Sequence, residues 1–91
     1  MNARSVIAVL LLLVYSMSFA ADPSRMTRDN YNKVKLGDNE ERVIRCLGQA
    51  STSAWENEDG KCLEWEKEHP YAWIHVVFRD GKVISKSQAG L

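Results

Sequence analysis

The residues of this 91-residue chain that could do chemistry are few: His69 and His75, the carboxylates Glu64, Glu66 and Glu68, and the two cysteines, Cys46 and Cys62. If the stretches around Glu64 and His75 pair as antiparallel strands, the two side chains fall beside each other. A carboxylate next to an imidazole is either a general acid–base pair or half of a metal site. The spacing is specific for neither. A solvated ion pair across two strands accounts for the same residues, and an open sheet face does not keep water out of a reaction. Cys46 and Cys62 lack the C-x-x-C spacing of redox motifs, and no glycine-rich loop leads from a strand into a helix to cradle a nucleotide phosphate. The expectation is a protein with no catalytic residues, no metal ligands and no cofactor, and not an enzyme.

The elements that must position these groups centre on residues 71–88. There two β-rich runs flank Asp80-Gly81, the dipeptide that most strongly marks a two-residue type I′ hairpin. Counting back from that turn, Arg79 faces Lys82, Phe78 faces Val83, Val77 faces Ile84, Val76 faces Ser85 and His75 faces Lys86. Side chains alternate between the two faces of a strand. Ala72, Ile74, Val76, Phe78 and Val83 therefore form the core side, and Trp73, His75, Val77, Arg79, Ile84 and Lys86 the other. That second face is half apolar, although the uncovered face of an antiparallel sheet is ordinarily polar. Tryptophan and arginine are enriched at protein-binding hot spots. Trp73, His75, Val77, Arg79 and Ile84, with Glu64 and Glu66 beside them, are accordingly the candidate partner-binding residues; self-association through the same face is the competing reading.

Upstream, Thr27 is placed to cap a short helix carrying Tyr31 and Val34, which Leu36-Gly37 ends. Asp38, with Glu41 three residues later, marks a second cap, and a helix over Asn39 to Leu47 follows, with Val43, Ile44 and Leu47 as its apolar stripe and Gly48 at its end. A second hairpin runs from Ser51 through a turn at Glu58-Asp59-Gly60 to Glu68, with Leu63 and Trp65 inward and Glu64, Glu66 and Glu68 outward. The direction of Trp55 depends on the length of that turn, since a slip of one residue inverts a strand. His69-Pro70 then returns the chain to the central hairpin. The fold class expected is α+β, two short N-terminal helices on one face of a four-stranded antiparallel sheet, in the order ααββββ.

Residues 1–20 read as a cleaved signal peptide. Arg4 precedes an apolar run, Val6 to Val14, and Ser18-Phe19-Ala20 makes a small-x-small cleavage site. The run is short of the roughly 20 residues a spanning helix needs, so no membrane span is expected. No cysteine follows the cleavage site, so no lipid anchor is expected either. Residues 21–26 are a flexible lead-in and 27–91 the single module. Without Arg4, eleven basic residues stand against twelve acidic ones, a balance that gives no reason to bind nucleic acid or an anionic membrane. The compartment is periplasmic or extracellular and oxidising, where a Cys46–Cys62 disulfide would staple a small domain; two buried free thiols are the alternative.

Tyr31-Asn-Lys-Val-Lys-Leu-Gly37, the capped helix ending Val43 to Gly48, the hairpin Val77-Phe-Arg-Asp-Gly-Lys-Val83 and the ending Ser85-Lys-Ser-Gln88 together resemble the small periplasmic and secreted modules grouped around β-lactamase inhibitor protein and the small outer-membrane-assembly lipoprotein. The likeness spans nearly all of the chain after residue 26. It implies a helix-loop-helix on a four-stranded sheet and a habit of binding proteins through that sheet. The family's cysteine on its second strand corresponds to Cys62, whereas its partner usually follows the second helix and Cys46 lies within it. The chain differs from the inhibitor in being a single module, and from the lipoprotein in lacking the lipid-bearing cysteine. The function expected is an exported bacterial protein-binding module of the cell envelope. The rival expectations are an unanchored accessory of outer-membrane β-barrel assembly, an inhibitor of an exported enzyme, and a small enzyme or metal carrier relying on His75 and Glu64.

Overall fold

The computed structural model describes residues 22–91, so the expected signal segment lies outside the described residues. Four strands, β1 (Thr52–Asn57), β2 (Gly60–Lys67), β3 (Ala72–Arg79) and β4 (Lys82–Ala89), form one antiparallel sheet in sequence order. Helical segments precede it, which makes the fold α+β. Helix α1 (Arg28–Lys33) has six residues and buries none of its own. Helix α2 (Glu40–Leu47) has eight and buries Val43 and Leu47.

Local chemistry explains the helix boundaries. The Thr27 hydroxyl accepts from the Asn30 amide at 3.1 Å, satisfying one of the donors a helix start leaves free. For α2 the cap is Asn39, whose side chain accepts from the Arg42 amide at 2.9 Å, one residue later than the Asp38 expected. Asp38 instead bonds the Lys35 amide at 2.8 Å and closes the turn before the helix. Gly48, with φ 79°, ends α2 in a conformation that suits glycine.

A short ordered turn precedes α1. Asp22 caps a 3₁₀ turn over Pro23–Arg25, and Met26 is 1% exposed. Its carbonyl accepts from Lys67 Nζ at 3.0 Å, which ties the start of the described chain to the far end of β2.

The core lies between α2 and one face of the sheet. Val43 and Leu47 meet Leu63, Trp65, Ile74, Val76, Phe78 and Val83, with Met26 and Val34 closing the sides. Trp65, the largest of these, is 1% exposed and its indole N–H donates to the Gly48 carbonyl at 3.0 Å, so no polar atom is stranded by its burial.

The central hairpin has the expected turn: Asp80 and Gly81 have φ of 52° and 76°, the two positive values a type I′ turn needs. Arg79 faces Lys82 and Phe78 faces Val83 as expected, but beyond them the register shifts by one at a bulge, so that Val77 faces Ser85, Val76 faces Lys86 and His75 faces Ser87. Ile84 is the extra residue. The shift carries Lys86 to the helix side, correcting its expected place on the open face. There its ammonium lies 4.1 Å from the centre of the Tyr31 ring and donates to the Tyr31 carbonyl at 2.9 Å. Burial pushes its pKa down, helped by nearby Lys35 and opposed by Asp38.

The two edges of the sheet differ. The β4 edge is partly covered, because the Gly37 amide donates to the Val83 carbonyl at 2.8 Å and the Val83 amide to the Asp38 carbonyl at 2.9 Å. Strand β1 at the other edge is exposed along all six residues and carries a bulge between Ser53 and Trp55.

Candidate partner-binding face

The face of the sheet turned away from α2 is built in three rows, each crossing the strands. In the first, Trp55, Cys62, Val77 and Ser85 face one another across β1 to β4, with the bulged Ile84 beside Ser85. The second aligns Thr52, Glu64, His75 and Ser87. The third aligns Glu66, Trp73 and Ala89. These rows follow from strand alternation, since each residue between them belongs to the core side.

All seven candidate residues lie on or at the margin of this face. His75 Nε2 stands 3.4 Å from Glu64 Oε1, and the Trp73 ring lies 4.6 Å from the imidazole at a 44° tilt. The contact holds the imidazole between the Glu64 carboxylate and the Trp73 ring. Arg79 is exposed at the hairpin end, and Ile84 is 51% exposed. Trp73, His75 and Val77 are half-buried among their neighbours.

Two further residues belong to the face. Trp55, whose direction depended on the turn, pairs with Cys62 and is 42% exposed. The turn Glu58-Asp59 has two residues, so Glu56 faces Lys61 and Trp55 faces Cys62 on the open side; the bulge at Ala54 comes only after Trp55, counting from the turn. Tyr71, 59% exposed, was not singled out in the sequence because it precedes the strand. Its hydroxyl donates to Glu66 Oε1 at 3.0 Å, an interaction that raises the phenol's pKa. Three of the four most exposed large hydrophobic residues, Trp55, Tyr71 and Ile84, therefore edge this one face; Leu36 stands alone on the helical side.

The cysteines do not form the expected bridge. Both are free thiols. Cys46 packs against the core from α2, whereas Cys62 sits in the first row of the open face, so the sheet separates them. Burial pushes the Cys62 thiol above its ordinary range and the Glu64 charge adds to the shift, which keeps it protonated and a poor nucleophile.

The arrangement has little to offer a reaction. Glu64 and His75 meet on a surface with no third group oriented on them and no wall to exclude water. Among the described residues no group of three or more histidine, cysteine, aspartate or glutamate side chains is placed to hold a metal ion, and no helix is long and apolar enough to cross a membrane. What the face offers is contact area: rigid aromatic rings around a half-apolar centre, with carboxylates and one guanidinium at the rim.

This architecture, a four-stranded sheet with one face left for contacts, agrees with a comparison of sequences. The family described as β-lactamase inhibitor (BLIP) matches residues 27–91, and the chain belongs to that family. It is a family of inhibitors rather than of enzymes. No curated protein and no solved structure matches the chain.

Proposed function

We propose that the protein is an exported, non-enzymatic binding module that recognises another protein of the cell envelope or its surroundings through the open sheet face. The observation that carries this reading is the clustering of Trp55, Tyr71, Trp73 and Ile84 on the face that the helices leave uncovered. Large aromatic and apolar side chains stand at both ends of this face, on either side of the Glu64–His75 row, and aromatic residues are enriched at protein-binding hot spots. Trp73, His75, Val77, Arg79, Glu64 and Glu66 are its contact residues, to which Trp55 and Tyr71 are added. The fold reading that goes with it is the full ααββββ module, with α1 and α2 both laid on the covered face, and residues 1–20 as the signal that directs export to the periplasm or beyond.

Family membership favours one sharper version, an inhibitor of an exported enzyme, because a protein whose contacts lie on a rigid face can block an active site without chemistry of its own. The test starts from the wild-type protein immobilised against periplasmic extract, and then compares it with Trp55→Ala/Trp73→Ala for each bound protein and for inhibition of purified β-lactamases. The double variant is expected to lose at least about 2 kcal/mol of affinity, roughly thirtyfold, with little change in Tm. Equal binding by the variant and the wild type would rule out this face.

A further inference from the structure

The near-zero net charge conceals an uneven distribution. On the helical side, Arg25, Asn30, Lys33, Arg42, Arg45 and Cys46 line a cleft of about 180 Å³ between α1, α2 and the 3₁₀ turn. Four of the six carry positive charge and none is a carboxylate. Pockets for drug-sized ligands are larger, roughly 300–1,000 Å³, so this one suits a small ion or a single headgroup.

The cations are held in place by contacts that leave most of their donors free. Arg25 crosses Gly48, where a Cβ would stand only 3.2 Å from its Cδ, and its guanidinium donates to the Arg45 carbonyl in the last turn of α2. Asn30 Nδ2 donates to the Arg25 carbonyl at 2.9 Å, while Asn30 Oδ1 stands 3.5 Å from Lys33 Nζ and draws that ammonium toward the cleft. Arg42 and Arg45 meet Asp38 and Glu41 at 3.3 and 3.7 Å, pairs one turn apart along the chain that engage one nitrogen each. Asp38 and Glu41 pair with two of the cations, Asp22 lies near Arg25, and Asp29 shares the adjoining groove with Lys33 and Arg42, so the positive charge is partly offset from outside while the lining of the cleft itself stays cationic.

We infer that this cleft is a binding site for a phosphate group, either a soluble phosphate monoester or the headgroup of a phospholipid. Guanidinium forks match the oxygens of a phosphate in pairs, and an ammonium adds a point charge. Three forks around one small cleft suit a tetrahedral dianion better than a carboxylate, which one fork satisfies. The site lies on the opposite side of the sheet from the partner-binding face, so the two can be occupied independently.

The test is an NMR titration of the protein with inorganic phosphate, against sodium chloride at matched ionic strength. Saturable shifts are expected at the amides of Asn30, Lys33 and Arg42 to Cys46, and Lys33→Gln/Arg45→Gln should weaken phosphate binding at least about tenfold. Both side chains are solvent-facing, so Tm should hold, and Glu64→Gln on the far face should bind phosphate like the wild type. Sedimentation with phosphatidylcholine vesicles containing phosphatidic acid separates the two sources. Co-sedimentation that inorganic phosphate competes away assigns a lipid headgroup, and phosphate binding without co-sedimentation assigns a soluble ester. A response no larger than that to chloride, or one that survives in Lys33→Gln/Arg45→Gln, overturns the proposal.

Discussion

The two faces of the sheet are made by the same strands, yet their chemistry is opposite. Along β3, Ala72, Ile74, Val76 and Phe78 are at most 1% exposed, while Trp73, His75 and Val77, interleaved with them, are half-buried and Arg79 is exposed. On β2, Leu63 and Trp65 enter the core and Glu64 and Glu66 face out. The comparison teaches that register, more than composition, decides what this small protein can do. Trp65 and Trp73 are the same residue type on neighbouring strands, one a core anchor and the other half-buried on the uncovered face.

Substitution can break that comparison most sharply at the two tryptophans. Trp65→Ala removes the largest buried side chain and strands the Gly48 carbonyl, and is expected to destabilise the fold by about 3–5 kcal/mol. Trp73→Ala should cost about 1 kcal/mol or less. Chemical denaturation of both variants measures the difference; equal losses would place both rings in one core and abolish the division between faces.

A smaller effect sharpens the account of the bulge. Lys86 on the helix side exchanges solvent for the Tyr31 ring and carbonyl, so Lys86→Ala should destabilise by about 1 kcal/mol, the net of a cation–π contact and a charged hydrogen bond against the burial of the ammonium. In the unbulged register Lys86 would be a solvated surface residue, and its loss would change stability by less than about 0.5 kcal/mol. Denaturant midpoints of wild type and variant distinguish the two.

Much of this fold was legible in the sequence because a few residues admit few conformations. Asp80-Gly81 specified both positive φ values, and alternation from that turn identified Ala72, Ile74, Val76, Phe78 and Val83 as core. Thr27 declared the first cap. The bulges were not legible. Nothing in Val83-Ile84-Ser85 or Ser53-Ala54-Trp55 marks an inserted residue, because a bulge is chosen by how the whole sheet twists and packs. One of them misplaced Lys86, and the other shifts the pairing of Ser53 and Thr52, while the length of the Glu58-Asp59 turn decides the direction of Trp55. The cysteines are a different case: the alternation that puts Leu63 and Trp65 inside already puts Cys62 outside, on the side α2 cannot reach. Tyr71 escaped because its place on the face comes from a loop residue reaching Glu66, a contact with no periodic signature. The phosphate cleft is assembled from the 3₁₀ turn and two helices, and its four cations lie up to 20 residues apart in the chain.

The central claim is that the uncovered sheet face is where a protein partner sits. Hydrogen–deuterium exchange with side-chain footprinting, on the protein alone and in complex with the partner recovered from periplasmic extract, tests it most directly. The expected result is protection of Trp55, Tyr71, Trp73 and Ile84 in the complex, with the exposed residues of α1 and α2 unchanged. Protection confined to the helices, with those four side chains as accessible as in the free protein, would contradict it.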